Sequence, residues 1–347
     1  CHGLDSGTIN PTTFKNGLVL DVAQAAMSAV PSDLDLHRGR TVVMSVHAND
    51  VTVSLGGEDW FGDDEGYTRQ HVLQVPSVDR FEQQVVHVLA LYLAESKHAL
   101  DNAGVVSDLL VLDGPLYPKG LLEWRDRDQR LETLLANEAR PRAVVENYLR
   151  LVEDFVERDV PLYGFVKTPA SRAITRAVRS SQGNAPWVND AAFFKSILEP
   201  RRDGGGGGDD ERRRDVLTAT NWFVSRGGVD RALSTEGDAL GLERRLGPAD
   251  YEVAFCMVYD PREDHLFRLE APGAFARDPE RRERLLMHAL QGVAVQGGPP
   301  PVVAKADELA RISRDEKAAL RRALERAFET EQERDYDASR WGVLDGI

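Results

Sequence analysis

Apolar residues along the chain fall into runs of two periods. Residues 17–30 (GLVLDVAQAAMSAV) and 41–55 (TVVMSVHANDVTVSL) are rich in Val and Leu and predict strands. The second run breaks at Ala48-Asn49-Asp50, a turn signal, so a hairpin is expected there. Residues 78–103 carry helical periodicity, with Phe81, Val85, Val88, Leu89, Tyr92 and Leu93 on one broad face. Gly104 is expected to end that helix as the glycine just past its last turn. The continuous apolar run at 109–112 (LLVL) suits a strand buried on both faces, and it stops at Asp113-Gly114-Pro115. Helices are predicted near 119–136 and 141–158. A second buried strand, PLYGFVK, then ends at Lys167. Short helices follow at 170–179 and 189–198. Strands are expected at 218–225, 251–259 and 265–271, and helices at 279–291 and 314–330. There is no internal repeat.

This order predicts an α/β chain with a mixed β-sheet flanked by helices. Residues 201–215 (RRDGGGGGDDERRRD) are low-complexity. Five glycines between charge clusters, with no Gly-Lys-[Ser/Thr] after them, predict a flexible loop and not a phosphate loop. The loop is expected to interrupt one sheet inside a single domain spanning 1–347.

Composition narrows the class. The 347 residues are 42% hydrophobic and 29% charged, as in a globular protein. No run approaches the roughly 18 apolar residues of a membrane helix. Residues 1–16 lack a basic start followed by an apolar core. The first residue is Cys1, and Leu4-Asp5 reads as a strand end, so the chain is expected to begin inside a longer one. Two cysteines, Cys1 and Cys256, make neither a disulfide framework nor a four-thiolate zinc site, which fits a cytoplasmic protein. The net charge is −14, with 36 arginines against seven lysines. Such a composition is expected of a halophilic, salt-loaded cytoplasm; a GC-rich genome would also favour arginine. It argues against a basic DNA-binding module but not against nucleic acid. At molar salt the Debye length is about 3 Å, so local contacts must replace long-range attraction.

The candidate chemistry is acidic. Asp5-Ser6-Gly7-Thr8 matches the tetrapeptide of pepsin-like aspartic proteases, which need two copies. The other Asp-Gly in an apolar context, Leu112-Asp113-Gly114-Pro115, lacks Ser or Thr after the Asp, and those enzymes are nearly all β. The ordinary alternative is a turn at Asp5-Ser6-Gly7. Asp113 stands at the C-terminal end of a buried strand, where open α/β sheets place ligand-binding groups. Glu95 lies 18 residues upstream, beside the apolar face of its helix. A helix crossing the sheet would hold its carboxylate over the strand ends. Hard divalent ions prefer such oxygens, and two ions about 3.5–4 Å apart serve in-line displacement at phosphorus. The bland readings are a turn former at Asp113, a solvated residue at Glu95 and a surface lysine at Lys167.

Gly3-Leu4-Asp5-Ser6-Gly7, the helix with Glu95, Leu112-Asp113-Gly114-Pro115-Leu116 and Gly164-Phe165-Val166-Lys167 together resemble the archaeal NurA nuclease family. The resemblance continues in HLFRLEAPGAF (265–275) and PPPVVAKADELARIS (299–313), and covers the chain except the glycine loop. It implies an RNase H-like fold and an Mn²⁺- or Mg²⁺-dependent nuclease with two ions. It further implies 5′–3′ exonuclease and single-strand endonuclease action on single- and double-stranded DNA, in end resection at double-strand breaks. The implied assembly is a homodimer docked on a HerA-type hexameric ring ATPase. By the same resemblance Asp5, Glu95 and Asp113 are metal ligands, and Lys167 contacts phosphate or stabilises developing charge. The C-terminal motif departs from the family, which commonly has Tyr-Pro and then Ala-His. Here stand Gly298-Pro299-Pro300-Pro301 and Ala306-Asp307. Asp307, in the place of the His, can bind a hard cation but cannot do the proton transfer of an imidazole. Alternatively it caps the following helical turn. The expectation is a metal-dependent DNA nuclease; the alternative is a catalytically silent adaptor module for the ATPase.

Overall fold

The period-two runs form β1 (His2–Thr8), β2 (Val19–Ala29), β3 (Arg40–His47), β4 (Thr68–Gln74), β5 (Leu110–Asp113), β6 (Leu162–Val166), β7 (Val253–Asp260) and β8 (His265–Pro272). The computed structural model describes residues 1–333 apart from 50–54, 56, 58, 185, 200–214, 238 and 239. In it these strands join one mixed sheet in the order β7, β8, β6, β5, β1, β2, β3, β4. Short strands Phe223–Ser225 and Phe61–Gly62 stand at its two edges. β1, β2 and β3 form an antiparallel meander, while β5 and β6 run parallel to β1 on its other side. The C-terminal ends of β1, β5 and β6 therefore open together. Open sheets bind ligands at such ends.

Helices cover both faces. α1 (Glu82–Asn102) and α2 (Ala139–Glu157) pack on one, and α3 (Pro279–Gln296) and α4 (Pro301–Ala310) on the other. β5 shows why the LLVL run has no alternation. Leu110 and Leu112 join the core under α1 and α2, while Val111 joins the core under α3 and α4. α1 buries Val85, Val86, Val88 and Leu89 against the sheet, and full burial of each such side chain contributes about 1.5–3 kcal/mol. α3 starts on the Asp278 cap with Pro279 in its first turn and ends at left-handed Gly297. α5 (Arg314–Ala327) opens with a Ser313/Glu316 capping box.

Several expectations need correction. Gly104 is not a left-handed stop: α1 passes into a 3-10 turn, Ala103–Val105, which carries Ala103 and Val106 into the core. The region 119–136 is three short helices, the last capped by Asp128 in extended conformation. The neighbours of β3 are β2 and the parallel β4, a strand absent from the sequence reading because its Thr-Arg-Gln-His start looks polar. The expected second arm of a hairpin, 51–55, lies almost wholly outside the described residues, as does the 201–215 loop. Strands before and after that loop share one sheet. Among the described residues no helix is long and apolar enough to cross a membrane.

Candidate metal centre

β1 runs through Asp5 to Thr8, so Asp5 neither ends a strand nor opens a turn. Side chains alternate along it. Gly3, Asp5 and Gly7 face α4, and Leu4 and Ser6 face α1. A Cβ on Gly3 would lie 2.5 Å from the carbonyl carbon and oxygen of Val302, and one on Gly7 would lie 2.5 Å from the Ala310 carbonyl oxygen. The two bare positions let the backbone of α4 lie directly on the strand. Asp307, in the interior of α4, is thereby brought over Asp5. It is not a cap for a following turn, and its carboxylate bonds Arg311 Nη2 at 3.1 Å.

Asp113 arrives from the neighbouring strand. Leu4 pairs with Leu112, which sets Asp113 beside Asp5 on the same face. Gly114, at φ +127°, turns the chain away at once. Gly164 leaves room for that turn, since a Cβ there would lie 2.5 Å from the Gly114 carbonyl oxygen. Asp5, Asp113 and Asp307 each offer a carboxylate oxygen within 4.8 Å of the others. Lys167, just past β6, places Nζ 2.5 Å from Asp113 Oδ2.

Glu95 approaches from the other face and is not one of the three oxygens in that group. Its Oε1 accepts from Ser6 Oγ at 2.6 Å and its Oε2 from the Tyr148 hydroxyl at 2.8 Å. It is half-buried rather than solvated. The structure thus gathers Asp5, Asp113, Asp307 and Lys167 on one face, with Glu95 behind Ser6 on the other. Sequence reasoning missed Ser6 and Tyr148. Strand alternation marked Ser6 as facing the helix of Glu95; Tyr148 sits on the apolar stripe of α2 and gave no signal.

The electrostatics are strained toward protonation. Burial, and then the charges of Asp113 and Glu95, push the Asp5 carboxyl up to about 10, against the Ser6 N–H at 2.6 Å. The Asp113 carboxylate beside Asp5 makes a second negative charge there costly. Burial pushes Glu95 up to about 7, with the Asp113 charge adding and the two hydroxyl donors opposing. Burial also works against the Lys167 ammonium, but Asp113, Asp5 and Asp307 outweigh it and hold the amine above its ordinary range. Once Asp5 gives up its proton, three carboxylates stand against the Lys167 ammonium and the Arg311 guanidinium, which leaves one negative charge in excess on hard oxygen donors. That donor set fits a divalent cation such as Mn²⁺ or Mg²⁺.

A family model described as the NurA domain matches residues 1–312. The chain belongs to the NurA family. The match takes in Asp5, Glu95, Asp113, Lys167 and Asp307. Comparison with curated proteins gave no match. Among solved structures, the NurA nuclease from Sulfolobus solfataricus is similar over 94% of this chain and 83% of its own, with 14% identity and a TM-score of 0.49. A NurA structure with manganese is similar over 94% of this chain and 88% of its own, at 9% identity and TM-score 0.45. A NurA bound to dAMP and manganese matches over 97% and 89%, at 12% identity and TM-score 0.35. The protease reading falls, because Asp5 and Asp113 sit side by side in a mixed sheet flanked by helices.

Proposed function

We propose that this chain is a metal-dependent DNA nuclease that hydrolyses phosphodiesters by in-line displacement. The observation that carries this reading is the meeting of Asp5, Asp113 and Asp307, from three separate elements, in a NurA chain. These three would hold a divalent ion, and Glu95 would serve a second from the α1 side. Mn²⁺, present in two solved NurA structures, is the first to test, with Mg²⁺ as the alternative. When bound, a pair of such ions supplies a more acidic water and neutralises charge on the leaving oxygen. Lys167, at the end of β6, is placed to neutralise a phosphate oxygen approaching Asp113. Glu95, fixed by the Ser6 and Tyr148 hydroxyls, presents a held carboxylate once an ion displaces its proton.

An antiparallel meander beside a central strand that has two parallel neighbours supports the RNase H-like reading. We assign the whole of 1–347 to one nuclease domain interrupted by the 201–215 loop. From the family resemblance we carry over 5′–3′ exonuclease and single-strand endonuclease action at double-strand break ends. With it come a homodimer, a HerA-type ring ATPase partner and a halophilic cytoplasm. The silent adaptor draws on two observations: Asp307 in the place of a His, and Glu95 on the far face.

The test is cutting of end-labelled DNA at molar salt. The full chain is expected to cut with Mn²⁺ and to stop when a chelator is added. A chain that cuts with no divalent ion, or with none of those offered, ends the nuclease reading as written; the second outcome favours the adaptor.

Metal binding should also release protons. Asp5 at about 10 and Glu95 at about 7 hold protons that the ion must displace. Affinity for Mn²⁺ is therefore expected to rise with pH between 6 and 8, by up to about tenfold per unit for each proton released. Calorimetry in buffers of different ionisation enthalpy counts those protons; a pH-independent affinity would refute the electrostatic picture.

A further inference from the structure

Glu270 on β8 is fully buried and takes no part in the carboxylate group. It lies opposite Gly164 of β6. Its Oε2 accepts the Leu116 N–H at 3.2 Å, its Oε1 binds Lys119 Nζ, and Arg268 Nε stands 2.6 Å from Oε1. Arg268 is itself fixed, with its guanidinium carbon 3.9 Å from the Phe255 ring centroid. Burial works against the charge on Glu270, but Lys119 and Arg268 outweigh it and hold the carboxyl below its ordinary range. Buried ion pairs of this kind are weak evidence for stability, because apolar replacements often do as well. What this one does is grip a particular piece of chain. Leu116 and Lys119 lie three and six residues after Asp113. Between them and Asp113 the chain turns at Gly114 and crosses Gly164, where a Cβ would lie 2.7 Å from Leu116 N.

We propose that Glu270 is a positioning residue for Asp113: by holding Leu116 and Lys119 across Gly164, it fixes the loop that aims Asp113 at Asp5 and Asp307. The inference rests on the reading of those three carboxylates as a metal site. Glu270 touches neither substrate nor ion. Its effect passes through the backbone from Leu116 to Asp113, so its loss should appear in metal affinity.

The test uses the full chain with three variants. Glu270→Gln keeps an acceptor for Leu116 but removes the charge that holds Lys119. Gly164→Ala keeps Glu270 but pushes on the Gly114 oxygen and Leu116 nitrogen. Leu324→Ala destabilises a separate cluster around Phe14 and Leu20. Free Mn²⁺ is read by electron paramagnetic resonance, and loop closure by hydrogen exchange of the peptide containing Leu116. Both latch variants are expected to bind Mn²⁺ about 10–100-fold more weakly, the range for residues that orient ligands. Leu116 should exchange at least about tenfold faster in them, by the same loss of restraint. Leu324→Ala should lower the melting temperature and change neither readout. If Glu270→Gln fails to fold, Lys119→Gln, which removes the cation that Glu270 holds, takes its place in both readouts. Unchanged Mn²⁺ affinity in a folded latch variant overturns the proposal, as does equal weakening in Leu324→Ala. If the parent takes up no Mn²⁺, the metal-site reading falls instead. The latch is then judged by exchange alone: faster exchange at Leu116 upholds it and unchanged exchange refutes it.

Discussion

Asp113→Asn is expected to abolish cutting of end-labelled DNA while leaving the chain folded. Asp113 is the residue through which the others communicate: its charge raises Asp5 and Glu95, and it pairs with Lys167. The amide keeps the shape and can still accept from Lys167, but it removes one of the charges an ion requires. The loss should exceed the roughly 100-fold that removal of an outer-shell partner typically causes. Folding free energy should change by no more than about 1 kcal/mol, since a like-charge contact and an ion pair disappear together. The sign with pH is fixed in chelated protein. Asp5 has a folded pKa raised from 3.8 to about 10, so it costs stability increasingly as pH rises through that window. Losing the Asp113 charge eases this, and the variant should gain on the parent between pH 5 and pH 8. Rates with Mn²⁺ and denaturant melts with chelator measure the two halves. A variant that cuts as well as the parent would remove Asp113 from the site.

Gly3→Ala is the second large effect, and it falls first on stability. The new methyl would sit 2.5 Å from the Val302 carbonyl carbon and oxygen and 2.8 Å from Val303 N. These are backbone atoms of α4, so no side chain can swing aside. Over-packing a tight core commonly costs about 1–3 kcal/mol, and a contact with backbone belongs at the upper end. Relief requires α4 to lift from β1, which carries Asp307 away from Asp5. Mn²⁺ binding should therefore weaken even in molecules that remain folded. Denaturant melts and Mn²⁺ titration at a temperature where the variant is native measure both. Unchanged stability would mean that α4 does not rest on β1 as described.

The sequence was most informative where one interaction decided the outcome. β5 was legible because a strand buried on both faces is continuously apolar, and its end at Asp113 follows from the turn residues after it. The apolar face of α1 was legible from its period. What failed depended on partners distant in sequence. Asp5 looked like a strand end because Gly7 usually marks a turn; here its missing side chain accommodates Ala310. For Asp307 the sequence leaves a cap open beside the ligand reading, because nothing local shows that three prolines launch a helix onto β1. For Glu95 the sequence leaves a solvated residue open beside the ligand reading, because Tyr148, which bonds it, lies 53 residues on. The pattern predicts that β3 pairs with its own downstream segment, but its neighbours are β2 and the parallel β4.

The alternation along β1 ties the chemistry to the pairing of the sheet. Adjacent residues Asp5 and Ser6 serve opposite sides, one toward Asp113 and Asp307 and one toward Glu95. A slip of β1 by a single position would exchange those sides and push side chains into α4 where Gly3 and Gly7 now leave gaps. A misregistered chain therefore cannot seat α4 on the strand, and it cannot gather the three carboxylates either. Misfolded copies are disarmed by the same error that leaves them open, which would be a useful safeguard for a chain with the proposed cutting activity.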